Sequence, residues 1–158
     1  MACAEAFELT ALGRISGDSP FIDSRLIDRM IVTHKEKGVD ITTNLNPRTF
    51  PMGMSFELIA IEALRRLAAA TGDPAHREHV TSYVYEHPGE FRIHNVTSGI
   101  KGSERVPLTV DSADDLVQAN WLFRRLKESG KEATLENVLD LAREWRETSP
   151  IENKGRVL

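Results

Sequence analysis

LGRISGDSPFIDSRLIDRMIVTHKEKGVDITT, residues 12–43, contains the clearest secondary-structure signals of the chain. Leu12 to Ser16 is typical of a strand, and Gly17-Asp18-Ser19-Pro20 predicts the turn that ends it. A helix is predicted over residues 24–37, because apolar residues recur there at helical spacing between an aspartate cap and a glycine stop. Val39 to Thr43 is rich in β-branched residues and predicts the next strand.

The alternation continues along the rest of the chain. Three further strands are predicted, over residues 55–59, 91–96 and 106–110. Four further helices are predicted: from Ile61 to Gly72, from Pro74 to just before Pro88, from the Ser112-Ala113-Asp114-Asp115 capping box onward, and around Leu135 to Trp145. We therefore expect an α/β domain with a largely parallel sheet.

The composition is that of an ordinary globular protein. Its 158 residues (17.7 kDa) fit one domain, with 41% hydrophobic and 28% charged residues. A formal net charge of -4 and a pI near 5.7 give no general attraction to nucleic acid or to an anionic membrane. Neither is therefore an expected partner.

The expected compartment is the cytoplasm. The single cysteine, Cys3, has no partner for an internal disulfide, which favours a reducing compartment. The first residues lack the basic region and sustained apolar stretch of a signal peptide. No apolar run reaches the roughly 20 residues that a membrane-spanning helix needs.

Two acidic residues directly follow predicted strands, at the position where open α/β sheets bind ligands. Asp18 comes after the strand that starts at Leu12, and Asp111 comes after the strand that starts at Val106. Carboxylates from two strand ends can hold Mg²⁺, a hard cation that takes one or two carboxylates together with phosphate oxygens. The alternative is that Asp18 is a turn residue and that Asp111 supports the start of the next helix.

Two further charged residues could face a ligand. Arg48 lies in the irregular loop NLNPRTFPMG, residues 44–53, which is long enough to act as a binding element, although a surface arginine is the simpler interpretation. Glu57 interrupts the apolar strand around Leu58, so its carboxylate faces either solvent or a cleft where it accepts hydrogen bonds from hydroxyl groups.

A charged group near the start of one predicted helix comprises Arg77, Glu78 and His79. His76 and His79 share a helix face, so a two-histidine metal site is conceivable, but no third ligand has suitable spacing and a solvated face explains them better. The G-x-S-x-G serine motif, the Walker loop and the G-x-G-x-x-G fingerprint are absent from the sequence.

Four motifs occur in a particular order along the chain. They are RISGDSPFID (residues 14–23), NPRTFPMGMSFELIAIEAL (46–64), REHVTSYVYEHPGEFRIHNV (77–96) and LTVDSADDL (108–116). This order resembles the spore-coat polysaccharide biosynthesis family of cytidylyltransferases, which is related to the acylneuraminate and Kdo cytidylyltransferases. The resemblance runs from about the first residue to Leu126, and four ordered motifs are far more specific than any one of them.

The resemblance implies a fold and a reaction. The fold is the nucleotide-diphospho-sugar transferase domain, a GT-A-like and Rossmann-like α/β sheet with helices on both faces. It would occupy residues 1–147, with a C-terminal tail over residues 148–158. The reaction is transfer of CMP from CTP to a sugar, with release of pyrophosphate, for the synthesis of surface polysaccharide or another glycan.

The resemblance also implies roles for individual residues. It makes Asp18 and Asp111 the catalytic ligands of Mg²⁺, and these are the same two acids that follow the predicted strands. Its substrate-binding residues are Arg48 and Glu57 at the sugar pocket, together with Arg77, Glu78 and His79 of the R-E-H-V-T motif.

The front of the chain departs from the family pattern. Family members begin with a strand and a loop of the type R-x-x-S-x-R-L-P-G-K that holds the nucleoside triphosphate, and no such loop precedes Gly17 here. Ser55 stands where the family usually has Asp. The chain thus resembles the C-terminal portion of such an enzyme, N-terminally incomplete and inactive or weak alone.

Such a portion would leave a sheet edge and helix faces uncovered, so we expect the chain to form homo-oligomers. A second interpretation belongs to another class of protein. It is a non-catalytic α/β module that binds a sugar or a protein partner and keeps its carboxylates for structure alone.

Overall fold

The computed structural model describes residues 2–149, apart from the side chains of Ala2, Cys3, Arg77 and Glu78. The helices in this range are α1 (Ala2–Ala6), α2 (Ser24–Lys37), α3 (Ile61–Ala70), α4 (Pro74–Glu78), α5 (Ser82–Glu86), α6 (Ala113–Ser129) and α7 (Leu135–Thr148). The strands are β1 (Ala11–Arg14), β2 (Ile41–Thr43), β3 (Glu57–Ala60) and β4 (Ile93–Asn95). Of the tail expected over residues 148–158, the part from residue 150 lies outside the described residues.

The chain divides into two compact units. The first, here the sheet unit, comprises Met1–Arg14, Asp28–Pro47 and Phe56–Val96. The second, here the helical unit, comprises Ile15–Ile27, Arg48–Ser55 and Thr97–Leu158. None of the helices in residues 2–149 combines the length and the apolar character that a membrane span requires.

The sheet unit contains a four-stranded sheet in the order β1-β3-β2-β4. β3 runs antiparallel to both β1 and β2, whereas β2 and β4 are parallel. The expectation of a largely parallel sheet is therefore wrong for β3, although β1, β2 and β4 point the same way. The reason is that only a loop joins β2 to β3, and a connection without a crossover helix returns the chain in the opposite direction.

The core of the sheet unit lies between the strands and the helices that follow them. α3 is amphipathic and buries one stripe, which includes Ala63 and Leu67. The buried cluster that this stripe joins consists of Ile41, Ile59, Ala63, Leu67, Val84 and Phe91. β2 and most of β3 are buried, and Met30 of α2 and Val84 of α5 are as completely removed from water as the residues of β2.

Two predicted elements differ in the structure. The single helix expected from Pro74 is two helices, α4 and α5, because the chain turns at His79, where the backbone N–H of Ser82 donates to the His79 carbonyl over 2.9 Å. The strand expected over residues 106–110 is only an isolated parallel bridge between Met52 and Pro107. Proline has no backbone N–H, so a ladder cannot extend through that position.

The helical unit contains α6 and α7. The predicted capping box is confirmed: the Ser112 side chain accepts from the Asp115 backbone N–H, and the Asp115 carboxylate accepts from the Ser112 N–H. α6 ends at Gly130, whose φ of 65° suits a residue without a Cβ. The rings of Trp121 and Trp145 pack across the two helices with centroids 5.3 Å apart.

Candidate functional site

The two carboxylates predicted to bind Mg²⁺ lie on neighbouring backbone segments of the helical unit. The backbone N–H of Val110 donates to the carbonyl oxygen of Asp18 over 3.0 Å, so Asp111 directly follows a residue that is bonded to Asp18. A turn orders the Asp18 segment, because the N–H of Ser19 donates to the carbonyl of Ser16 over 3.2 Å. The bond therefore brings together the backbone segments of two acids that are 93 positions apart in the sequence.

The two carboxylates differ in their surroundings. Asp18 is half-buried, and its Oδ1 accepts a hydrogen bond of 3.0 Å from the Ser19 hydroxyl. Asp111 is exposed, and its carboxylate has no hydrogen bond or ion pair with any group that the structure describes. The start of α6 is capped by Ser112 and Asp115 instead, which leaves the Asp111 side chain available.

This donor set fits Mg²⁺. The ion takes one or two protein carboxylates and fills its other positions with water or with phosphate oxygens of a substrate. Within the described residues, no cluster of three or more histidine, cysteine, aspartate or glutamate side chains could hold a metal ion. An all-protein metal cage is therefore not present in that part of the chain.

The loop that contains Arg48 is attached to the Asp111 segment. The backbone N–H of Leu108 donates to the carbonyl of Met52 over 2.8 Å. Gly53 has a φ of +93°, and a Cβ there would lie 2.6 Å from the Leu108 carbonyl carbon. Only glycine permits this approach, so the contact fixes the loop against the segment that leads to Asp111.

The side chain of Arg48 contacts Ser55, which is the position at which the chain departs from the family pattern. Its Nη1 donates to the Ser55 hydroxyl over 3.0 Å. A hydroxyl is a neutral acceptor, whereas the aspartate usual in the family would pair with the guanidinium as an anion. Ser55 is therefore a neutral partner of Arg48 at a position where the family pattern has an acid.

Glu57 belongs to the sheet unit and is buried there, with 2% of its surface exposed. Its Oε2 accepts hydrogen bonds from Arg14 Nη1 over 3.0 Å and from the Thr81 hydroxyl over 3.1 Å. Its Oε1 accepts from the Tyr85 hydroxyl. Of the two orientations that the sequence left open, the structure has the carboxylate turned inward, where it accepts from two hydroxyl groups and a guanidinium.

The phenol of Tyr85 is held as a hydrogen-bond donor. Burial, followed by the negative charge of Glu57, raises the pKa of Tyr85 well above its ordinary value of 10.0. The Thr43 hydroxyl lies 2.8 Å from the phenol oxygen and gives it a further polar neighbour. Groups from β1, β2, β3 and α5 thus meet around one carboxylate.

Among the described side chains, the group around His79 forms no metal site. His79 is exposed and is the C-cap residue of α4, so it no longer follows His76 on one continuous helix. Both ring nitrogens of His76 already have partners, the Thr71 hydroxyl at 2.8 Å and the Glu86 carboxylate at 3.2 Å. Arg77 and Glu78 lie in α4, and their side chains are outside the described part of the chain.

Sequence reasoning missed three members of the Glu57 cluster: Arg14, Thr81 and Tyr85. Thr81 is the N-cap residue of α5, but its hydroxyl makes no capping bond and turns to Glu57 instead. Arg14 ends β1, four positions before Asp18. The strand-end criterion that selected the two aspartates did not select Arg14, because the strand predicted from the sequence continues to Ser16 whereas β1 ends at Arg14.

Comparison with known proteins agrees with this fold. A family model described as cytidylyltransferase matches residues 1–144. Among solved structures, a cytidylyltransferase from Leptospira borgpetersenii serovar Hardjo-bovis (strain JB197) is similar with a TM-score of 0.76 at 21% identity. That match covers 99% of this chain and 64% of the other. The predicted nucleotide-sugar transferase-like α/β fold is therefore confirmed.

Two curated relatives are longer than this chain. The spore coat polysaccharide biosynthesis protein SpsF of Bacillus subtilis (strain 168) is 29% identical over 126 residues, which cover 78% of this chain and 51% of that protein. An uncharacterized protein of Methanocaldococcus jannaschii is 29% identical over 103 residues, which cover 65% of this chain and 41% of that protein. The chain thus spans about half the length of the curated relatives it matches.

The predicted family resemblance is confirmed by a model match over most of the sequence, by these relatives and by the shared fold. The chain belongs to the cytidylyltransferase family.

Proposed function

We propose that this chain is part of an enzyme that transfers CMP from CTP to a sugar for surface polysaccharide or glycan synthesis. Family membership supports the nucleotidyl transfer, and the similarity to a protein named for spore coat polysaccharide biosynthesis supports a sugar acceptor. The single observation that carries the chemistry is the bond from Val110 N–H to the Asp18 carbonyl, which brings the Asp18 and Asp111 segments together.

In the proposed site, Asp18 and Asp111 would hold Mg²⁺. When bound, the ion supplies positive charge that offsets the charge developing on the transferred phosphate. The chain itself contributes the carboxylates of Asp18 and Asp111, which lie on two backbone segments that are hydrogen-bonded to each other. The exposed Asp111 side chain, without a partner among the described residues, loses no existing hydrogen bond when it takes up a ligand.

The proposed reaction is a displacement at phosphorus. A sugar oxygen forms a bond to the α-phosphorus of CTP, and the bond from that phosphorus to the oxygen bridging the β-phosphate breaks. Pyrophosphate leaves with the bonding pair, and the proton of the sugar hydroxyl passes to solvent. Positioning and charge neutralisation supply most of the catalysis in such a step.

The substrate-binding residues in this proposal remain Arg48, Glu57, Arg77, Glu78 and His79. Arg48 is assigned to a sugar that carries hydroxyl or anionic groups, because a guanidinium binds such groups well. Glu57 is buried among its own partners, so its proposed part is to orient the half-exposed guanidinium of Arg14.

Activity is proposed for the complete fold, because the relatives are about twice as long as the match. The isolated chain is proposed to be inactive or weak. Phosphoryl-group chemistry depends on many groups that hold the nucleotide, and a part of the fold supplies only some of them.

The test is the melting temperature with Mg²⁺ and CTP, separately and together. We expect the two ligands together to raise the Tm by roughly 2–5 °C, and each alone to have little effect. Asp111→Asn should abolish the shift. Asp114→Asn is the matched control, because Asp114 is an exposed carboxylate in the first turn of α6 that the proposal does not use.

A Tm that the ligand pair leaves unchanged would contradict the proposed metal–nucleotide site. An equal shift in the Asp111→Asn protein would remove Asp111 from it. A shift produced by a sugar without Mg²⁺ or CTP would instead favour the non-catalytic binding module.

A further inference from the structure

One face of α6 leaves large apolar side chains in contact with water. Leu116, Val117 and Phe123 are 52%, 49% and 42% exposed. At 3.6 residues per turn, the three side chains fall within an arc of about 120° centred on the exposed Asn120. These four residues are here called the α6 face.

The opposite side of α6 already has its own core. Ala119, Leu122 and Leu126 are buried there. Phe123 lies at the border, because its ring stacks on the buried Phe21 with centroids 4.5 Å apart while the rest of it meets water. Apolar residues on two sides are typical of a helix that is covered on both. The α6 face is therefore a candidate contact surface.

The charges beside the α6 face are separated by sign along the helix. Asp114 is exposed in the first turn, whereas Arg124 and Lys127 are exposed among the last six residues. None of the three has an ion pair with any group that the structure describes. The acid next to the basic pair, Glu128, is already 3.8 Å from Arg125. One end of the face is thus acidic and the other is basic.

This pattern is complementary to itself when two copies of α6 lie antiparallel. A two-fold interface requires such self-complementarity, because the same patch serves both partners. Val117 and Phe123 are each three positions from Asn120, so a two-fold axis near Asn120 sets Val117 of one copy against Phe123 of the other. Leu116 then meets the aliphatic stem of Arg124. The acidic first turn of each helix meets the basic end of the other, and the antiparallel macrodipoles also attract.

Other arrangements fit the charges less well. In a parallel pair of helices, Asp114 would meet its own copy and the basic residues would meet theirs, which is repulsive. An anionic surface such as a membrane or nucleic acid would be repelled by Asp114 and by the net charge of -4. The charge pattern therefore favours a second copy of this chain as the partner.

We propose that two copies of this chain associate through the α6 face, with the two helices antiparallel about a two-fold axis near Asn120. Burial of Leu116, Val117 and Phe123 drives the association, and Asp114 pairs with the basic end of the other copy. The inference does not depend on the proposed function, because self-association is measured without CTP, Mg²⁺ or turnover.

Sedimentation equilibrium of the full chain over a range of concentrations is the first test. We expect a dimer, with twice the 17.7 kDa mass of one chain, to form at micromolar concentrations. Val117→Gln should weaken the dimer by about tenfold or more, because an amide replaces a central apolar contact in both copies. Val32→Gln is the matched control: Val32 is 54% exposed on α2, so the dissociation constant should stay within about twofold.

Charge reversal tests the antiparallel arrangement. One variant is Asp114→Lys, and the other combines Arg124→Glu with Lys127→Glu. Each alone should weaken self-association by about tenfold or more, because like charges then meet at both ends of the pair. An equimolar mixture of the two variants should dimerise again, since the acids of one chain then face the bases of the other. Circular dichroism of each variant checks that α6 stays helical.

A cysteine cross-link tests the position of the axis. In a chain that carries Cys3→Ser, Asn120→Cys should give a disulfide-linked dimer on mild oxidation, because a residue at the axis meets its own copy. Ser129→Cys is the matched control on the same helix. Its two copies would lie about 27 Å apart along the pair, which is too far for a disulfide.

Three outcomes would overturn the proposal. A chain that stays monomeric at about 100 µM would leave the α6 face to a different partner. A dimer that Val117→Gln and both charge variants leave unchanged would have its contact elsewhere in the molecule. A mixture that does not dimerise again, or equal cross-linking through Ser129→Cys, would exclude the antiparallel two-fold arrangement.

Discussion

The carboxylate of Glu57 is almost completely buried and accepts a hydrogen bond of 3.0 Å from the guanidinium of Arg14. The pair joins the first residue of β3 to the last residue of β1, which face each other in the sheet register. The ion pair is half-exposed on the arginine side, where solvent weakens it. On the buried side, the hydroxyl groups of Thr81 and Tyr85 donate to the two carboxylate oxygens of Glu57. The position therefore requires a side chain with two acceptor oxygens, which is a carboxylate.

Glu57→Gln should destabilise the chain by about 2 kcal/mol. The amide presents N–H groups to donors that previously met a carboxylate oxygen, and at least one buried partner is left unsatisfied. Urea unfolding measures the loss. Glu62→Gln is the control because Glu62 is an exposed residue of α3 in an i,i+3 pair with Arg65, and it should cost less than about 0.5 kcal/mol. Equal losses in the two variants would contradict the assigned role of Glu57.

Tyr85→Phe should change how stability responds to alkaline pH. Burial and the charge of Glu57 raise the pKa of Tyr85 above 10.0, so the folded state favours the neutral phenol. This contribution is complete below pH 10 and is lost as the pH rises toward the folded value. Urea midpoints at increasing pH should therefore fall less steeply above pH 10 in Tyr85→Phe than in the unchanged chain. Parallel curves would show that the phenol ionises freely.

Asp23→Ala should remove a contact between the starts of two helices in the helical unit. The Asp23 carboxylate accepts from the Arg25 N–H at 2.9 Å in α2 and from the Leu135 N–H at 3.0 Å in α7. The loss of a cap and of a second backbone bond should cost about 2 kcal/mol, measured by urea unfolding. Asp28→Ala, at an exposed position of α2, should change stability by less than about 0.5 kcal/mol.

The same aspartate predicts an acid dependence. Burial alone would raise the pKa of Asp23, but bonds from the Arg25 side chain and from the backbone N–H groups of Leu135 and Arg25 lower it below 3.8. A lowered pKa gives stability that is present above the unfolded value near 3.8 and is lost as the pH falls further. The Asp23→Ala chain should therefore lose less stability between pH 5 and pH 3 than the unchanged chain does. An identical acid profile would contradict this assignment.

Gly53→Ala should destabilise the helical unit by more than about 2 kcal/mol. The new Cβ would lie 2.6 Å from the Leu108 carbonyl carbon, and the φ of +93° is strained for alanine. The displaced segment leads to Asp111, so the Mg²⁺ and CTP shift in Tm should also decrease. Gly72→Ala is the control, because a Cβ there meets no atom within 4 Å and the backbone is not left-handed. A fully retained ligand response in Gly53→Ala would show that the contact does not position Asp111.

The sequence predicts the helices better than it predicts the sheet. Caps and stops are local signals, so α2 begins and ends where the pattern places it and α6 has its capping box. The direction of β3 depends on how the loop after β2 packs, which no local pattern records. Asp111 follows a segment that is not a strand, yet that segment still lies beside Asp18 through the Val110 bond.

The Glu57 cluster could not be predicted because its members are distant in sequence. Arg14 is 43 positions from Glu57, Tyr85 is 28 and Thr81 is 24. A threonine and a tyrosine near a predicted helix are ordinary residues until the tertiary fold places a buried carboxylate next to them. The sequence shows that Glu57 is unusual, because it is an acid within an apolar strand. Its partners become visible only when β1, β2, β3 and α5 pack together.

The aromatic residues are divided between the two units in a way that can be used experimentally. Both tryptophans, Trp121 and Trp145, belong to the helical unit, and both tyrosines, Tyr83 and Tyr85, belong to the sheet unit. Indole fluorescence therefore reports on one unit and phenol absorbance on the other, without any added label. Superimposable unfolding curves from the two chromophores would mean one cooperative system, and separated midpoints would mean two folding units in one short chain.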